Sequence, residues 1–102
     1  MIGRSWHGWT TRENARAYEE VFETKVLPEV NNVEGCKGAY LLRREVKGEV
    51  EFVVFTLFES IKAVQGFAGE NYELAVISPE AKEVLKRFEE RVAHYEVIIR
   101  PN

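Results

Sequence analysis

The stretch "GCKGAYLLRREVKGEVEFVVFTLF", residues 35–58, sets the tightest limit on the fold. Two runs rich in β-branched, aromatic and leucine residues flank Lys47-Gly48. That pair reads as a two-residue hairpin turn, in which glycine accepts positive φ. A turn there pairs Val46 with Glu49, Arg43 with Phe52, Leu42 with Val53 and Tyr40 with Phe55. Directly paired residues share a face of the sheet. One face then holds Tyr40, Leu42, Val53, Phe55 and Leu57, and the other holds Leu41, Arg43, Phe52, Val54, Thr56 and Phe58. Both faces are largely apolar, so both need a cover.

The rest of the chain supplies one of them. Residues 2–9 alternate as a first strand, with Trp6 and Trp9 on opposite faces. In "TTREN", Thr10 and Glu13 have the spacing of a capping box. Ala15, Tyr18, Phe22 and Val26 then recur at steps of three and four, which makes an apolar helix face. Pro28 and Asn31-Asn32 end that helix near 27–31. Ser60 caps a second helix bearing Ile61, Val64 and Phe67, which stops at Gly69. "ENYELAVI" is ambiguous between a helical turn and a short strand. "SPEA" starts another helix, with Ser78 as cap, Pro79 first and Glu80 in the first turn; its stripe is Ala81, Val84, Leu85 and Phe88. A last strand is expected over 92–100, with Tyr95, Val97 and Ile99 on one face and His94, Glu96, Ile98 and Arg100 on the other.

The order β-α-β-β-α-(α)-β is the split βαβ, ferredoxin-like pattern, an α+β fold with an antiparallel sheet and helices on one face. The chain has no spare element for the second apolar face. A homodimer is the economical cover, since large apolar patches mark interfaces; the alternative is a sheet whose outer face is merely greasy. At 102 residues the expectation is one domain spanning 1–102. A net charge of −3 argues against a nucleic-acid partner, which needs a basic face. No apolar run has the length of a membrane span. "MIGRSWHGW" lacks the apolar core of a signal peptide. Cys36, the only cysteine, fits a reducing, cytoplasmic location and has no activating neighbour.

Four landmarks resemble the antibiotic biosynthesis monooxygenase family of dimeric α+β barrel proteins: "SWHGWT" leading to "ENARAY", "PEVNNVEGCKGAYLLRR", "FESIKAVQGFAGENYELAVISPEA" and the ending "HYEV". Together they cover nearly the whole length. The resemblance implies a ferredoxin-like fold and a homodimeric barrel. It also implies a choice of activities: oxidation of polycyclic phenols by dioxygen without a cofactor, haem degradation, quinol oxidation or autoinducer processing. Relatives commonly carry a tryptophan where this chain has Phe58, in "FES". Haem-degrading relatives use a histidine on the following helix as iron ligand, and "IKAVQGFAGENYELAV" contains none. With Val54, Phe58 and Val64 in the corresponding region, an apolar ligand pocket is the expectation.

Among individual residues, His94 is the candidate general base, because an imidazole titrates near neutrality and can take a phenolic proton. The alternative is a histidine that merely fixes the last strand. Glu96 shares its face but stands too far along the strand to assume a bond. Tyr72, after the "AGEN" loop, is a candidate donor to a ligand carbonyl, or else a ring packed over the sheet end. Trp6, Tyr18, Phe58 and Phe67 are the candidate substrate-binding residues, and each also suits a core. His7, His94 and Glu96 lack any local spacing that enforces a metal site. Arg43 is placed at the dimer rim, and "KEVLKRFEER" reads as a solvated face in which Glu83 and Arg87 have helix-pair spacing. Two functions stand: a cofactor-independent monooxygenase of a small aromatic or quinone-like molecule, or a non-catalytic binding domain of the same fold.

Overall fold

The computed structural model describes residues 1–101. Its long strands are β1 (Ile2–Thr11), β2 (Cys36–Val46) and β3 (Glu49–Phe58), joined by two short ones, β4 (Arg87–Phe88) and β5 (Ala93–Glu96). All pair antiparallel, in the order β2-β3-β1, with β4 and β5 both lying along the far edge of β1. The hairpin has the predicted register, including Leu42 opposite Val53 and Tyr40 opposite Phe55. Its turn residues Lys47 and Gly48 both have positive φ, 52° and 81°, as a type I′ turn requires.

Helices cover one face. α1 (Arg12–Val21) continues through a π-helical turn, Phe22–Val26, into α2 (Leu27–Asn31); α3 (Ile61–Ala68) and α4 (Pro79–Val84) complete the layer. Even-numbered β1 residues point at them: Arg4, Trp6 and Thr10 are buried there. The core joins Trp6, Val50 and Phe52 from the sheet to Ala15, Tyr18 and Phe22 from the first helical stretch, Ala81 from α4, and Leu85 and Val92 beyond it. The caps at Ser60 and Ser78 form as predicted, each side chain accepting the backbone N–H three residues on.

Several local expectations change. Thr11, not Thr10, caps α1, accepting the N–H of Asn14. Thr10 stays in the strand, fully buried, and its hydroxyl donates to the Val84 carbonyl. The last helix stops at Val84 instead of running to Phe88. Leu85 turns extended (φ −90°, ψ 141°), and Arg87–Phe88 pair with Gly8 and Trp9. The unpaired edge of β1 draws this segment in: Lys86 N–H donates to Trp9 O and Glu89 N–H to His7 O. The last strand is shorter than expected, ending at Glu96. Arg43 shares the helix-covered face with Phe52, as the hairpin register predicts, and there it donates to Glu19 of α1.

The other face of the sheet has no helix. Tyr40, Leu42 and Tyr95 are about half exposed upon it, at 55%, 51% and 57%.

Candidate functional site

Between the sheet and the helices lies a pocket of about 50 Å³. Its floor is Arg4 and Trp6 of β1 with Val54 and Thr56 of β3; its walls are Tyr18, Val26 and Val30 on one side and Phe67 on another. Val76, Ile77 and Ser78, in the connector between α3 and α4, close the rim.

Trp6 is held by two constraints. Its indole N–H donates to Glu89 O at 3.0 Å, and its ring lies along the strand above Gly8, where an added Cβ would come within 2.5 Å of Cη2. Tyr18 stacks on it at 6.1 Å and leans on Phe52 at 4.8 Å. Burial pushes the Tyr18 phenol well above its ordinary range, so it stays protonated. Phe67 lines the pocket, whereas Phe58 is fully buried behind it at 6.1 Å between ring centres.

Arg4 was not among the residues singled out by sequence. It is 5% exposed and lies 5.5 Å from the Phe67 ring centre. Its Nη1 donates to Tyr72 O and meets His94 Nε2 at 3.0 Å, and its Nη2 donates to Leu74 O at 3.0 Å. Desolvation lowers its pKa to about 10, which leaves it charged at neutral pH. One signal was available: Arg4 and Trp6 stand two apart on one strand and therefore share a face.

His94 and Tyr72 are brought together, but outside the pocket lining. Their rings meet edge to face at 5.2 Å. With Arg4 donating, His94 Nε2 is the acceptor, which puts the imidazole proton on Nδ1. The His94 pKa is lowered, first by burial and then by the Arg4 charge, against a smaller opposing pull from Glu73. Tyr72 gives the site its carbonyl oxygen; its ring packs on His94. His7 points to the open face, 3.0 Å from Glu89 and 3.9 Å from Glu51. His94 and Glu96 pair with Arg4 and Ile2 on the covered face, so the two histidines do not converge. Among the described residues no group of three metal-ligating side chains comes together.

An antiparallel five-stranded sheet, helices on one face and an aromatic pocket between the layers define an α+β domain of the ferredoxin-like class. The family model for antibiotic biosynthesis monooxygenase matches residues 8–77, and the chain belongs to that family. Solved structures agree on the fold. The haem-degrader MhuD of Mycobacterium tuberculosis, with two haems in its active site, is 23% identical with a TM-score of 0.66 over 100% of both chains. A point variant of MhuD carrying two manganese protoporphyrins per active site is also 23% identical, with a TM-score of 0.72 over 100% of this chain and 99% of that one. A Bacillus cereus candidate antibiotic biosynthesis monooxygenase is 18% identical, with a TM-score of 0.71 over 100% of this chain and 95% of that one. At such identities the likeness concerns the fold alone. No curated protein sequence matches this chain. No helix among the described residues is long and apolar enough to cross a membrane.

Proposed function

We propose that this chain is a cofactor-independent monooxygenase acting on a small aromatic or quinone-like molecule, working as a homodimer in a reducing, cytoplasmic compartment. The observation that carries the reading is the pocket itself, walled by Trp6, Tyr18 and Phe67 with a cation at its floor. Flat aromatic walls select a flat apolar ligand. The chemistry that suits them is oxidation of a phenol by dioxygen: the ring C–H and O–H become two quinone carbonyls, one oxygen atom enters the ring and the other leaves as water. The substrate supplies all four electrons. An engineered cavity that admits benzene measures about 150 Å³, so a pocket of about 50 Å³ takes such a ligand only when the 69–78 connector gives way.

His94 and Tyr72, the expected catalytic pair, suit a different task in this geometry. The His94 lone pair is taken by Arg4, so the imidazole orients the guanidinium instead of receiving a substrate proton. Tyr72 assists through its carbonyl. Haem is a poor match: no histidine stands in α3 or the connector after it, and the volume is far too small.

A second reading has its own support. The polar lining residues are Arg4, Tyr18, Thr56 and Ser78, none of which is a ready base at neutral pH, and that favours a non-catalytic binding domain. Oxygen-electrode assays with a panel of hydroxynaphthalenes, anthrones and hydroxyquinones separate the two. The expected result is oxygen uptake by wild type, lost in Ala81→Trp, which fills the pocket, and reduced in His94→Ala. Binding without uptake on any compound would assign the chain to the second reading.

A further inference from the structure

We infer that Arg4 makes this pocket an anion site, so that its ligand is a planar aromatic molecule carrying an ionised oxygen; this deepens the aromatic-pocket reading above and rests on it. A buried guanidinium is normally matched by a carboxylate, because an isolated charge is costly away from water. Arg4 has none. The ion pairs of the described residues involve His7 and other arginines and lysines, as in Arg12–Glu45, Arg44–Glu51 and Arg87–Glu49, and Arg4 is not among them.

Its three observed partners are all neutral: two backbone carbonyls and the His94 ring. They take three of the five N–H donors of the side chain and leave Nε–H and one Nη2–H. Those two are the kind of donors that grip an anionic oxygen, alone or as a fork. The surroundings strengthen that grip, since Trp6, Val54, Phe67 and Val92 line the same space and keep the local dielectric low. The Phe67 ring beneath the guanidinium sets the plane in which a second flat group can lie.

Arg4 also ties the connector down through the Tyr72 and Leu74 carbonyls, and a purely structural clamp would show no interest in ligand charge. Isothermal titration of the whole chain near neutral pH with two matched pairs decides between these. The pairs are 2-naphthoate against 2-naphthalenemethanol, and 2-hydroxy-1,4-naphthoquinone, ionised at that pH, against 2-methoxy-1,4-naphthoquinone. The expected result is that at least one anion binds about tenfold or more tighter than its neutral partner, as a charge-assisted hydrogen bond provides. The pair that shows the preference tells whether the acid is a carboxylate or an ionised enol. Neutral and anionic partners binding equally would overturn the anion site and leave the aromatic pocket standing. No binding by any of the four would overturn both. In Arg4→Gln the preference should vanish while neutral affinity persists, and Arg4→Lys should keep part of it. A preference that survives in folded Arg4→Gln also overturns the inference. Should Arg4→Gln fail to fold, the wild-type pairs decide alone.

Discussion

Trp6 keeps its place in the pocket floor because position 8 has no side chain to lift it. A Cβ there would press on Cη2 at 2.5 Å, and no rotation of a rigid indole inside a packed core relieves such a contact cheaply. Gly8→Val is expected to destabilise the chain by about 1–3 kcal/mol through overpacking, measured by urea unfolding, and to shift the buried tryptophan emission to the red. His94 offers a test of a different kind. Its pKa in the folded chain is lowered, first by burial and then by Arg4, so the unfolded chain binds the extra proton more readily. The stability it contributes is complete above its ordinary value of 6.5 and is lost as pH falls through the lowered folded value. His94→Asn should flatten that limb of the stability–pH curve, seen in thermal melts taken from neutral to mildly acidic pH.

Among the elements, α4 depends most on a single residue. It is six residues long, far below what a helix needs to persist alone. Ser78 satisfies one of its first N–H groups while Pro79 presets the first turn. Ser78→Ala should cost about 1 kcal/mol by thermal or chemical unfolding. Because Ser78 and Ala81 both border the pocket, it should also loosen ligand binding. This cap was legible in four letters, as was the hairpin register, because both are local: a capping oxygen reaches three residues and a two-residue turn fixes its own pairing. The end of α4 was not legible. Ala81, Val84, Leu85 and Phe88 have helical spacing, but Leu85 reaches the core just as well from an extended backbone, and the choice is made by carbonyls of β1 far away in sequence. The site divides in the same way. Trp6, Tyr18 and Phe67 declared themselves as large aromatic side chains on inward faces. Arg4 did not, because a charge in a strand reads as solvent-facing until its neighbour two residues on is seen to be buried. His94 was visible as a histidine, but the partner that occupies its lone pair lies ninety residues earlier.

For the molecule as a whole, the open face of the sheet is the outstanding feature. Tyr40, Leu42 and Tyr95 are exposed together, with Ile98 and Ile99 at the chain's end more exposed still, at 79% and 87%. A second copy is the cover proposed for it. Sedimentation velocity at micromolar concentration should give a dimer for wild type and a monomer for Leu42→Glu, whose carboxylate would be stranded in an apolar contact; a wild-type monomer would refute the dimer. The π turn at Phe22–Val26 has a consequence on the same scale. Tyr18, Phe22, Val26 and Val30 follow one another at steps of four, and in an uninterrupted α-helix each such step drifts by about 40° around the axis, so Val30 would end up roughly 120° away from Tyr18. The wider turn absorbs one surplus residue, about 100° of rotation, and brings Val26 and Val30 back to the pocket beside Tyr18. It works as a phase corrector: the same twelve residues wound as ordinary α-helix would swing the far wall of the pocket out of alignment, whereas deleting the surplus residue from 22–26 would restore α geometry and leave Val30 on the side of Tyr18.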